Sequence, residues 1–298
     1  MLKLEQFIGQ KKIKQELQFY IINSNTNNIP LPHTILYGSA GLGKTSLVHV
    51  VANETSSNLI EKTGSELNTK IIQEILQKIY FGTILFIDEI HNMPTKSAEV
   101  LYTPMQTINN QMLQQQIDSF DFEGISISPF TVIGATTSAG MLLKPFRDRM
   151  ILDFHFQLYT KEELVQILLN NKCPLNIAKM IADRSRGVPR IAVNFFIRIR
   201  NESIIEKYIT EEKCLKFFDR IGINKDGFNA TDRMILEYLY EYKVASESEL
   251  TKTLGIDLFD YKNIYEPFLL SKRTIKISSK GRQITDKGIE YFEENFQE

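Results

Sequence analysis

The stretch Gly38-Ser-Ala-Gly-Leu-Gly-Lys44-Thr45 fits the pattern G-x-x-x-x-G-K-[S/T] in full. Gly38, Gly41 and Gly43 let the backbone curl so that successive amide groups point inward, forming a concavity for phosphate oxygens. A helix beginning at Lys44 adds the positive end of its dipole. Lys44 is placed to reach the β- and γ-phosphates of a nucleoside triphosphate, and the Thr45 hydroxyl to ligate Mg²⁺; Leu42 and Ser46 complete the loop. Further on, Ile84-Leu-Phe-Ile-Asp88-Glu89 is an apolar run that ends in two carboxylates. Asp88 suits a water-mediated hold on Mg²⁺, and Glu89 suits the polarisation of an attacking water. The bland alternative for the acidic pair is a turn or a helix cap. Together the two motifs predict ATP hydrolysis.

Such groups need a scaffold. Strands are predicted at 33–37, 58–62, 83–88 and 131–136, with helices at 44–54 and 65–80; Ile71, Ile72, Ile75, Leu76 and Ile79 fall on one face of the latter. Continuous apolar strands alternating with helices predict an open α/β fold with a parallel sheet, whose carboxyl edge carries the ligand site. From residue 160 the pattern turns helical, at 161–170, 174–186, 189–207 and 210–218. Residues 221–227 read as a polar hinge. Beyond it, helices near 230–242, 246–254 and 258–270, a basic β-rich segment over 273–285 and a closing helix predict a winged helix. The expected division is an ATPase core over 1–159, a helical lid over 160–228 and a winged-helix head over 229–298.

Composition narrows the class. A chain of 298 residues, 43% hydrophobic and 24% charged, has material for two or three cores. Its net charge of −1 confines any nucleic-acid surface to a local patch. Cys173 and Cys214 fit no ligand spacing, and the four histidines (33, 49, 91 and 155) form no metal pattern. No apolar run approaches the roughly 20 residues of a membrane span, and MLKLEQFIGQ does not read as a signal peptide. A cytoplasmic location is expected.

The Asp88-Glu89 pair followed by a helical second domain resembles the AAA+ ATPases. That resemblance implies three further parts. Thr131-Val-Ile-Gly-Ala-Thr136-Thr137 matches a sensor strand, with Thr137 at the sensing position. Pro145-Phe-Arg147-Asp148-Arg149 matches the arginine-finger segment, with Arg149 as the finger. Gly187-Val-Pro189-Arg190 matches the second sensor. A guanidinium is a rigid, always-charged fork suited to γ-phosphate oxygens, and a finger supplied by a neighbour makes hydrolysis depend on assembly. For each arginine alone, a surface salt bridge is the ordinary alternative.

More narrowly, the chain resembles the RuvB family of Holliday-junction branch-migration motors, apart from a shortened N-terminal arm. Phe7-Ile-Gly-Gln10, Leu36-Tyr37-Gly38, Leu85-Phe-Ile-Asp-Glu-Ile-His91, Pro129 to Thr137, Arg147-Asp-Arg149, Arg184-Ser-Arg-Gly187, Pro189-Arg-Ile-Ala192 and Glu266-Pro-Phe-Leu-Leu270 carry the match. It implies ATP and Mg²⁺ as cofactors, a homo-oligomeric and hexameric ring, double-stranded DNA and Holliday junctions as substrates, and a RuvA-like partner. Adenine packing would rest on Ile8, Gly9 and the lid. Tyr159 falls on a nucleotide-contacting tyrosine, with interdomain packing as its alternative. Ser39-Ala40, Asn92 and Ser138 depart from the family pattern away from the hydrolytic positions. The segment 106–127, a partner-binding hairpin in the family, lacks the usual basic turn; Met112, Leu113, Ile117, Phe120 and Phe122 offer either a docking edge or inward packing.

Lys272, Arg273, Lys276, Lys280, Arg282 and Lys287 cluster near the end, opposed by Asp286. This suits a wing that tracks phosphates without reading bases, with Lys276, Lys280 and Arg282 as the DNA contacts. A solvated wing that touches nothing is the alternative. Two other functions compete with a DNA motor. A clamp-loader-type ATPase would end in a helical collar, and an ATP-switched DNA-binding regulator would need neither Glu89 nor Arg149.

Overall fold

The computed structural model describes residues 3–202 and 209–296, and the chain divides into two compact units, residues 1–163 and 164–298. The first unit contains β1 (Thr34–Tyr37), β2 (Leu59–Thr63), β3 (Ile84–Asp88), β4 (Phe120–Phe122), β5 (Ile125–Ile127), β6 (Thr131–Thr136) and β7 (Leu152–His155). Five of these form one parallel sheet in the order β2-β3-β6-β1-β7. This is the predicted α/β P-loop core. The central strands β1, β3 and β6 are buried nearly throughout because their apolar residues face helices on both sides. Strand β7 was not predicted. Its Leu-Asp-Phe-His sequence alternates buried and exposed, as an edge strand does, and lacks a continuous apolar run.

The helix Lys44–Glu54 runs as predicted, whereas 65–80 shortens to Thr69–Lys78 because Asn68 caps it through a bond from the Ile71 amide. Thr95–Gln114 is a helix with Pro104 inside it. Beyond it β4 and β5 form a hairpin closed by Glu123 and Gly124, both at positive φ, as a two-residue turn requires. Phe120, Phe122, Ile125 and Met112 pack against the core under the sheet, and Ile127 is buried in it. Inward packing therefore describes three of the residues considered for a docking edge, while Leu113 is 84% exposed.

The helix Lys161–Asn170 leads into the second unit, where the helices Leu175–Arg184, Pro189–Glu202 and Glu211–Arg220 follow. The predicted continuation of the middle one through residues 203–207 lies outside the described residues. The second half of this unit is helical around a small antiparallel sheet, β8 (Val244–Ala245), β9 (Ile275–Ser278) and β10 (Gly281–Ile284), in the order β8-β10-β9. The predicted ribbon thus gains a third strand, too short to be read from two residues. Phe228, Leu236, Leu239, Tyr261, Phe268 and Phe292 fill the core beneath it.

The segment 221–227 is not a loose hinge. Asn224 accepts from the amides of Asp226 and Phe228 and donates to the Tyr291 hydroxyl, which donates in turn to Asp226. From the helical side, Arg186 donates to the Gly227 carbonyl at 3.1 Å and to buried Asp232 at 2.5 Å. Burial raises the Asp232 carboxyl, against the opposing pull of Arg186 and the Asn229 amide.

Candidate nucleotide site and nucleic-acid interface

The carboxyl ends of the neighbouring strands β3, β6 and β1 bring the chemistry-bearing residues to one edge, where ligands of open α/β sheets bind. β1 runs into the phosphate loop. Gly41 and Gly43 there have φ of 83° and 94°, left-handed conformations that glycine adopts without a steric penalty. Lys44 is buried, and its ammonium donates to the carbonyls of Gly38 at 2.6 Å and Ser39 at 3.0 Å. Thr45 is half-buried and Ser46 exposed in the first turn of the following helix.

Around the loop, Gly9 meets Tyr159, and Ile8 beside it is half-buried. The Tyr159 hydroxyl donates to the Leu42 carbonyl at 3.0 Å, and a methyl group at Gly9 would come within 2.5 Å of its ring. Burial pushes the Tyr159 phenol up to about 12. Within this unit Tyr159 braces the phosphate loop through its bond to Leu42. Gln10 fixes the same corner by a reciprocal pair of bonds with the Gln157 backbone, at 2.7 and 3.0 Å.

β3 delivers Asp88 and Glu89. The Asp88 carboxylate accepts from the Glu89 amide at 2.9 Å, and Glu89 adopts φ of 47°. β6 delivers Thr137, whose hydroxyl donates to Glu89 Oε2 at 3.5 Å. Two residues to which the sequence reading gave no role stand in the same cluster. His91 Nδ1 lies 3.4 Å from Glu89 Oε2 and 2.9 Å from the Thr136 hydroxyl oxygen. The sequence signals for His91 are its position two residues after the acidic pair and its place at the end of the family-matching stretch Leu85 to His91.

The donors suit a hard cation that arrives with phosphate. Thr45 supplies a hydroxyl and Asp88 a carboxylate, and Mg²⁺ binds through one or two protein oxygens plus phosphates and water. Among the described residues no group of three or more His, Cys, Asp or Glu could hold a metal ion alone.

The arginines are placed differently. Arg149 donates through Nε to the Tyr102 carbonyl at 2.9 Å and through a terminal nitrogen to the Pro145 carbonyl at 2.6 Å, over the Tyr102 ring. Arg147 is exposed. Arg190 lies exposed in the first turn of the helix Pro189–Glu202, in the second unit.

On the wing, Lys276 and Lys280 are exposed. Arg282, expected to join them, is spent elsewhere: its Nε donates to Glu266 at 2.5 Å and a terminal nitrogen donates to Glu247 at 2.6 Å. Glu247 also pairs with Lys262 at 2.8 Å. The four groups form a closed, neutral cluster joining β10 to two helices. Only 16% of the Arg282 side chain is exposed.

Comparison with known proteins agrees with this architecture. Residues 2–156 match the family described as the Holliday junction DNA helicase RuvB P-loop domain, and residues 225–293 match the RuvB C-terminal winged helix domain. The Holliday junction branch migration complex subunit RuvB of Campylobacter hominis is 36% identical, over 96% of this chain and 87% of its own length. Its counterpart from Campylobacter concisus is 36% identical over 97% and 90%. The solved structure of the Thermotoga maritima RuvB Holliday junction branch migration motor aligns with a TM-score of 0.81 at 30% identity, covering 98% of this chain and 97% of that one. With both domains matched and relatives aligned nearly end to end, the chain belongs to the RuvB family.

Proposed function

We propose that this protein is an ATP-driven DNA motor that moves Holliday junctions by branch migration during recombination and repair. The observation that carries the proposal is the convergence of Lys44, Asp88, Glu89 and Thr137 at adjoining strand ends, in a chain whose residues 225–293 match a winged helix domain. Lys44 and the loop amides hold the triphosphate, with Leu42, Gly43, Thr45 and Ser46 lining it. Thr45 and Asp88 hold Mg²⁺, Glu89 polarises water and Thr137 senses the γ-phosphate. Arg190 contributes from a lid over 160–228, between the core over 1–159 and the head over 229–298.

Arg149 serves a neighbouring subunit in a hexameric ring. To do so it exchanges the Tyr102 and Pro145 carbonyls for phosphate oxygens, which reward a guanidinium more strongly. Lys276 and Lys280 follow the DNA backbone, and Arg282 braces the wing that presents them. Of the residues considered for docking a RuvA-like partner, Leu113 is the one the fold leaves most exposed. The cytoplasm suits this work and two buried thiols.

Two rivals fare worse. A clamp-loader-type ATPase would carry a helical collar where this chain has β8, β9 and β10. An ATP-switched regulator gives no reason for Glu89 beside Thr137. Steady-state ATP hydrolysis, with and without duplex DNA, tests the proposal. Lys44→Ala should lose nucleotide binding, and Glu89→Gln should bind ATP with little turnover. Arg149→Ala should also bind without turnover and regain some when mixed with Glu89→Gln subunits. Tight binding by Lys44→Ala, or full turnover by Glu89→Gln, would refute the assignment.

A further inference from the structure

Glu89 is held more elaborately than a strand-end carboxylate requires. Its φ of 47° is a left-handed conformation that non-glycine residues seldom adopt. The turn is closely backed: a methyl group at Gly64, just past β2, would lie 2.5 Å from the Glu89 carbonyl oxygen and 2.9 Å from the Met93 nitrogen. Only glycine fits beneath that turn. Three strand ends, β2, β3 and β6, therefore meet at one acidic residue.

The side chain is held as deliberately. Thr137 and His91 both approach the same oxygen, Oε2, at 3.5 and 3.4 Å. A carboxylate offers only lone pairs, so an attractive contact with His91 needs the ring proton on Nδ1. That proton has a second taker, the Thr136 hydroxyl oxygen at 2.9 Å, which also accepts from the Ser138 amide at 3.0 Å. One N–H is thus shared between the sensor strand and the acidic residue, and the imidazole is buried where water competes little, at 8% exposure.

We propose that His91 is a positioning residue for Glu89, its Nδ1–H shared between Glu89 and Thr136 so that the sensor-strand end sets how firmly the carboxylate is aimed. The inference rests on the reading of Glu89 as the water-polarising group. Both contacts fall on Oε2, which leaves Oε1 to face the water. A shift of the segment from Thr136 to Ser138 changes the share of the proton that Glu89 receives. State at the γ-phosphate and aim at Glu89 become one event, without direct contact between His91 and nucleotide.

The experiment measures kcat for ATP with saturating duplex DNA, and nucleotide affinity by titration with a fluorescent ATP analogue, on the full chain. Groups that orient metal ligands typically contribute on the order of 10- to 100-fold, and a group that orients a reacting carboxylate is expected on the same scale. His91→Ala should therefore lower kcat by about tenfold or more while leaving affinity unchanged. His91→Asn, whose amide falls near Nδ1, should keep most of the rate. His91→Gln, whose amide reaches toward Nε2, should not. Thr136→Val should alter kcat in the wild-type background and have little effect in His91→Ala. Unchanged kcat in His91→Ala, equal rates for Asn and Gln, or additive effects of Thr136→Val would overturn the inference while Glu89→Gln stays inactive. Full turnover by Glu89→Gln would overturn it together with the reading on which it rests.

Discussion

Replacing Arg282 with alanine removes one guanidinium from between two carboxylates. Each bond is charge-assisted and worth about 1.5–3 kcal/mol where solvent is excluded. Screening lowers that here, because Glu247 and Glu266 are 21% and 12% exposed, and Lys262 continues to compensate Glu247. Glu266 is the group left unpaired. A loss of about 3 kcal/mol follows, toward the lower end for breaking a buried pair. For a domain the size of the head this lowers its melting temperature by about 10 °C or more. Thermal unfolding of the full chain, with hydrogen exchange followed over β8, β9 and β10, reads the change. Arg282→Met with Glu266→Gln should recover part of it, since the orphaned charge is then gone. Duplex affinity across a salt series should keep its slope wherever the variant remains folded. An unchanged melting curve with a slope lowered by about one would refute this reasoning and make Arg282 a phosphate contact.

Other perturbations separate the remaining roles. Lys280→Ala should weaken duplex binding and lower the salt slope by about 0.9 with no change in melting temperature, and Lys276→Ala should behave alike; an unchanged slope removes either from the interface. Arg186→Ala leaves the buried Asp232 carboxylate unpaired and should cost about 3–5 kcal/mol, splitting calorimetric unfolding of the second unit into two transitions; one transition at the wild-type temperature counts against the clasp. His33 is buried at the start of β1 with Nδ1 accepting from the Val132 amide, and burial lowers its imidazole to about 4. Since an unfolded histidine titrates near 6.5, its neutral form contributes stability in full above that pH. The contribution falls away as pH drops from about 6.5 to 4, by up to about 3 kcal/mol. His33→Asn should flatten the acid limb of a denaturant-midpoint curve, and an unaltered limb would assign it to other groups.

What could be read in advance follows the range of the forces involved. Ile84 to Asp88 is apolar at every position but the last, so a strand buried on both faces and ending in a carboxylate is written locally. The phosphate loop is legible because its glycines act on their own backbone. β7 escaped because Asp153 and His155 point to solvent from an edge strand and break the apolar run. The ion pairs of Arg282 were hidden because its partners lie 16 and 35 residues away, and charge counted along the chain does not register them. The segment 221–227 looked loose because Asn224 and Gly227 are ordinary turn residues, while Tyr291 and Arg186 that pin them are remote in sequence. The Arg149 bonds to the Tyr102 and Pro145 carbonyls were hidden likewise, being made to backbone whose position only the fold defines.

The double tether on residues 224–232 bears on how work is delivered. Tyr291 grips the segment from one side and Arg186 from the other, so the helices that precede it and the sheet that follows share a single stiff joint. A compliant link at that point would take up a stroke by stretching while the load stood still. A stiff joint hands the displacement on at nearly full amplitude.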